Sequence, residues 1–102
     1  MRNKIVSDMK PISIRSFLKA VDGKKFRVQL HYYKDVSLNK NFSIANIIVD
    51  RVERDCNNLI FYFGECWFLV QIKSDNVLQF YNGDMLYYCV EADGVEAFAN
   101  IL

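Results

Sequence analysis

The spacing of apolar residues changes period twice along the chain. Ile14, Phe17, Leu18 and Val21 fall at i, i+3, i+4 and i+7, the repeat of one helix face. Ser13 stands where an N-cap belongs, and Gly23 can take the left-handed conformation that stops a helix. These signals predict a short amphipathic helix from about Ile14 to Val21. From Lys24 to Tyr33 the period falls to 2. Phe26, Val28, Leu30 and Tyr32 alternate with Lys25, Arg27, Gln29, His31 and Tyr33, which predicts a strand with one dry and one wet face. Lys34 to Ser43 is polar and reads as an exposed loop.

A run of hairpins follows. Strands are expected at Ile44 to Arg54, Leu59 to Phe63, Cys66 to Ile72, Val77 to Tyr81 and Met85 to Glu91, separated by polar or glycine-containing links. Gly64-Glu65 places glycine first, as a type II′ turn requires, and Asn82-Gly83 suits both central positions of a type I′ turn. At the C-terminus Val95, Phe98, Ala99 and Leu102 return to helical spacing with Asp93 as a cap, which predicts a second short helix. The expected fold is α+β: a short N-terminal helix, a mainly antiparallel meander of about six strands forming a small coiled sheet or partly open barrel, and a short C-terminal helix. Residues 1–10 are expected to form a flexible N-terminal arm and residues 11–102 a single domain.

Composition adds a constraint on this picture. Hydrophobic residues make up 52% of the 102 positions and aromatics 15%, enough for a real core. Yet Leu59 to Phe63 and Cys66 to Val70 are apolar on both alternating faces, so cover is needed on both sides of those strands. Either helices supply it or a partner does. Cys56, Cys66 and Cys89 are odd in number, and no apolar h-region follows Met1-Arg2-Asn3-Lys4. A reducing cytoplasmic location is therefore expected. The longest apolar stretch, Leu59 to Val70, is interrupted by Gly64 and Glu65 and is too short to span a bilayer, so no membrane role is expected.

Charge is sorted along the sequence. Met1 to Lys40 carries ten Lys/Arg against three Asp, a net of +7, whereas Asn41 to Leu102 carries three bases against nine acids, a net of −6. The total of +1 conceals this asymmetry.

Three surfaces carry candidate chemistry. The wet face of the first strand offers Lys24, Lys25 and Arg27 for phosphates, His31 for bases and Tyr33 for stacking, the ingredients of a nucleic-acid surface. No RRM consensus accompanies them. The acids of the second half, among them Glu65 and Asp84, cluster at turns. Singly they suit hairpin geometry, and together they could steer a basic partner. The aromatic set is richest on the hairpins, and Tyr62, Trp67, Tyr81 and Tyr87 are candidate interface residues beside Glu65 and Asp84.

Catalysis would have to use His31, the single histidine, and no cysteine has the local signature of an activated thiol. The spacing of the cysteines offers no metal site, no glycine-rich phosphate loop is present, and no cofactor is expected. The sequence thus points to a non-enzymatic protein-binding module: an adaptor, regulatory subunit or stoichiometric inhibitor. Small accessory proteins of bacteria and mobile elements have this kind of profile. The expected partner is another protein, and a second copy of the chain also fits. Nucleic acid, bound through the basic helix and first strand, is the second choice.

Overall fold

The computed structural model describes the backbone of residues 8–35, 40–43 and 46–102, and the side chains of 8–31 and 46–102. Among these residues the protein is mostly β, with two antiparallel sheets and a single helix of eight residues.

Helix α1 runs Ile14–Val21, the span that the apolar spacing predicts. The Ser13 hydroxyl accepts a hydrogen bond from the Ser16 backbone N–H at 3.0 Å, satisfying one of the free donors of the first turn. Ile14, Phe17 and Val21 are buried, and the Phe17 ring lies 5.2 Å from that of Tyr88.

The strands are β1 (Lys10–Ser13), β2 (Phe26–Asp35), β3 (Lys40–Ser43), β4 (Ile47–Val49), β5 (Arg51–Asp55), β6 (Asn58–Phe63), β7 (Cys66–Gln71), β8 (Asn76–Asn82), β9 (Met85–Ala92) and β10 (Val95–Ile101). The large sheet has the order β1-β8-β9-β10-β2-β3, with β4 also paired to β2, and the small sheet has the order β5-β6-β7. The two meet where Asp50 separates β4 from β5, and Asp50 N–H bonds to Tyr62 O at 2.8 Å. They meet again where Ile72 bridges Ala92. Between them lies one core: Phe26, Val28 and Leu30 of β2, Val49 of β4, Leu59, Phe61 and Val70 of the small sheet, Val90 and Ala97 of β9 and β10, and the apolar face of α1.

Several expectations are corrected. The C-terminal helix is absent: β10 is a strand held between β9 and β2. Val95, Ala97, Ala99 and Ile101 alternate toward the core just as Val95, Phe98, Ala99 and Leu102 follow a helical repeat. Two flanking strands satisfying the backbone decide the ambiguity, because isolated short helices are marginal. The fold is therefore not α+β with two helices, and the expected single meander, coiled sheet or barrel, is instead divided between two sheets.

The expected strand Ile44 to Arg54 is broken at Asp50 into β4 and β5, which serve different sheets; Ile44 lies outside the described residues. Part of the expected loop Lys34 to Ser43 is β3, and Lys10 of the expected arm pairs with Gln79. The β8–β9 turn is shifted by one residue: Asn82 pairs with Met85, so the central positions are Gly83 and Asp84. Gly83 alone there has positive φ, +65°, the requirement of a type II′ rather than a type I′ loop. Gly64, at φ +60° in the β6–β7 turn, stands in the expected position.

Candidate functional site

Register in the small sheet follows from its two-residue turns. With Gly64-Glu65 closing the hairpin, Phe63 faces Cys66, Tyr62 faces Trp67 and Ile60 faces Leu69. On the other side Arg51 faces Tyr62 and Glu53 faces Ile60. Alternation sends Leu59, Phe61 and Val70 into the core and leaves Ile60, Tyr62, Trp67 and Leu69 on the outer face. Trp67 is 58% exposed and Leu69 47% exposed. The apolar character on both faces of these strands thus has cover on one face only, among the described residues.

The polar groups on this face are ordered around Tyr62. The Arg51 guanidinium lies 3.8 Å above the ring, pairs with Glu53, and leaves the Tyr62 hydroxyl donating to Glu53 Oε1 at 3.1 Å. Tyr62 is held above the ordinary tyrosine pKa by desolvation first, then by the hydrogen bond and negative charge of Glu53, with Arg51 opposing. The phenol therefore stays protonated as a donor. At the hairpin tip Gly64 N–H donates to Asp50 Oδ2 at 3.1 Å. That bond ties the turn, and Glu65 within it, to the junction of the sheets.

The large sheet has its own patch on the face opposite the core. Phe80 and Tyr87 stack at 5.5 Å, and Phe98 lies edge-on to Phe80 at 6.3 Å and to His31 at 5.1 Å. Gln29, His31, Phe80, Asn82, Tyr87 and Phe98 line a shallow open depression. Cys89 lies on this face opposite Leu78 and Phe98 and is 2% exposed. Burial, then Glu96 and Glu91, pushes its thiol up from 9.0 to about 12, so it is neutral and unreactive at neutral pH.

The structure unites some of the candidates and separates others. Tyr62 and Trp67 are direct cross-strand partners, with Glu65 in the adjoining turn. Tyr81, Asp84 and Tyr87 belong to the β8–β9 hairpin of the large sheet, where Tyr81 pairs with Leu86 and Tyr87 with Phe80. The six candidate interface residues thus form two groups on two sheets. Lys24 and Lys25 are exposed just before β2, and Lys25 reaches Asp50 at 3.8 Å. Arg27 and His31 share a face with Gln29 and Phe98; Tyr33 pairs with Asn41, and its side chain lies outside the described residues.

The basic and acidic halves of the sequence are neighbours in the large sheet. Strand β2 lies directly beside β10, with His31 opposite Glu96, and the uncharged β8 lies beside β1. Ile60, Leu69 and Arg51 are not among the residues that the sequence singles out, although the Gly64-Glu65 turn fixes the register that places Ile60 and Leu69 beside Tyr62 and Trp67. Phe98, expected on a C-terminal helix, stands on β10 instead. Among the described residues no three His, Cys, Asp or Glu side chains gather for a metal ion, and no helix is long and apolar enough to cross a membrane. Comparison with protein-family models, with curated proteins and with solved structures gives no match to this chain.

Proposed function

We propose that the protein is a non-enzymatic protein-binding module, an adaptor, regulatory subunit or stoichiometric inhibitor, that docks through the outer face of β5-β6-β7. The observation that carries this reading is the pairing of Trp67 and Leu69, both about half exposed, with Tyr62 and Ile60 on one face. Exposed aromatic residues gathered on one sheet face are the usual material of interface hot spots, and contiguous apolar surface is costly to leave in water. The ion-paired Arg51 and Glu53 fix the Tyr62 ring and so lower the ordering cost of binding. Three free thiols favour a reducing cytoplasmic setting.

The test is capture of partner protein by wild type, Trp67→Ala, Leu69→Ser and Tyr87→Ala proteins at low and high salt. The reading expects a protein that is retained at high salt, lost with the first two substitutions and kept with the third. A partner retained by Trp67→Ala and Leu69→Ser would refute it.

A second reading, nucleic-acid binding, draws on Arg27, Gln29 and His31 sharing a face with Phe98, beside the stacked Phe80 and Tyr87. Basic and stacking groups together suit single strands. It expects a low-salt mobility shift that disappears when Lys24, Lys25 and Arg27 are changed to Ala; no shift at low salt removes it.

A further inference from the structure

Sheet edges in this protein are treated unequally. End strand β1 carries Lys10 and Pro11, and end strand β3 carries Lys40. The β5 edge is lined by Arg51, Glu53, Arg54 and Asp55, α1 packs near it, and Arg54 is held by Asp75 at 2.6 Å and by Cys56 O at 3.0 Å. Charges and proline are what natural edges use to refuse another strand. Strand β7 lacks them. Cys66 to Val70 contains no charge, no proline and no glycine. Among the described residues its far side is closed only from Gln71 onward, where Gln71 O accepts from Asp93 N–H at 2.8 Å and Ile72 bridges Ala92. An open backbone of five residues, about 17 Å long, is left beside the exposed Trp67 and Leu69.

Charge at the two ends of this edge distinguishes the occupants. Glu65 stands at one end, and Asp93 and Glu91 stand with Lys73 at the other. A second copy added antiparallel about Phe68 would match Trp67 with Leu69, but it would bring each Glu65 to the end closed by Asp93. Like charges would then oppose twice, which is unfavourable. A strand with cations at its ends meets net negative charge at both, since Asp93 and Glu91 outweigh Lys73.

Building on the protein-binding reading, we infer that the open edge of β7 receives an extended segment of another protein by strand addition. That segment has apolar residues alternating over Trp67 and Leu69, with Lys or Arg at each end. Main-chain hydrogen bonds supply the affinity, and the alternating side chains and terminal charges supply the selection.

The test uses blocked seven-residue probes on the full chain. These are Lys-Val-Thr-Val-Thr-Val-Lys, the same peptide N-methylated at alternate amides, and the version with Glu at both ends. Binding is read from the emission of Trp67, the single tryptophan, and from amide exchange of β7. The Lys-ended peptide is expected to shift Trp67 emission to the blue and to slow exchange within Cys66 to Val70. The Glu-ended peptide should bind about tenfold more weakly, the N-methylated one should fail to bind, and Leu69→Lys should weaken the Lys-ended peptide. Equal binding of the N-methylated peptide would overturn strand addition in favour of side-chain docking. Failure of all three peptides, or concentration-dependent dimerisation that protects β7, would overturn it as well. Loss of partner capture in Trp67→Ala alongside failure of the peptides would leave the protein-binding reading standing while this inference falls.

Discussion

Truncating Phe61 separates the core side of the small sheet from its outer side. Phe61 is fully buried, stacks on Phe68 at 4.8 Å and meets Phe26 of the large sheet edge-on at 6.4 Å. Phe61→Ala therefore removes a ring that joins the two sheets, at a cost of about 3–5 kcal/mol including the cavity left behind. A chain of this length has a total stability of about 5–15 kcal/mol, so the variant is expected near the edge of unfolding. Trp67, one strand away and 58% exposed, gives the contrast. It removes roughly 100 Å² from water, which at ~25 cal/mol per Å² sets an upper bound of about 2.5 kcal/mol. Burial persisting in the unfolded chain brings the expected loss to about 1–2 kcal/mol. Urea unfolding followed by far-UV circular dichroism measures both. A Phe61→Ala cost below about 1 kcal/mol at unchanged m-value, or a Trp67→Ala cost equal to it, would show that the two faces of the small sheet are wrongly assigned.

Thiol chemistry gives a second prediction: Cys56 and Cys66, both exposed, should react rapidly with a disulfide reagent, and Cys89 only after unfolding. The raised pKa of Cys89 also sets a pH dependence. The folded protein holds this proton more tightly than the unfolded chain, so stability is intact below pH 9 and falls as pH rises from 9.0 toward about 12. The slope is up to about 1.4 kcal/mol per pH unit. Tyr88, raised by burial and by Tyr81, adds in the same direction; Cys89→Ala should flatten the thiol part in urea titrations at pH 8 to 10.5. Ser13→Ala should cost about 1 kcal/mol by removing the α1 cap, and Ser13→Asp should restore most of it in the same assay. Gly83→Val, placing a β-branched residue at φ +65°, should destabilise by more than about 1 kcal/mol, whereas Gly83→Asn should cost less.

Local signals were legible where one physical requirement acted alone. The repeat of Ile14, Phe17, Leu18 and Val21 with Ser13 ahead has one good solution, and α1 adopts it. Gly64 identified its turn because the backbone there needs positive φ. The turn at Gly83 lies one residue beyond its expected place: Asn82 also tolerates that conformation, and the cross-strand pair Asn82 and Met85 overrules it. Residues 95–102 satisfied two periods at once, so neighbours had to choose.

Sequence alone determined the helix, most of the strands, the dry face of β2 and the excess of apolar residues on β6 and β7, because those follow from spacing within a few residues. Tertiary structure decided which strands share a sheet, how Asp50 hands the chain from one sheet to the other, and which apolar face is left in water. It also brought the two halves of the sequence side by side, pairing β2 with β10 and β1 with β8. These outcomes depend on contacts between residues far apart in the chain, whose cost and gain are settled only when both partners are in place.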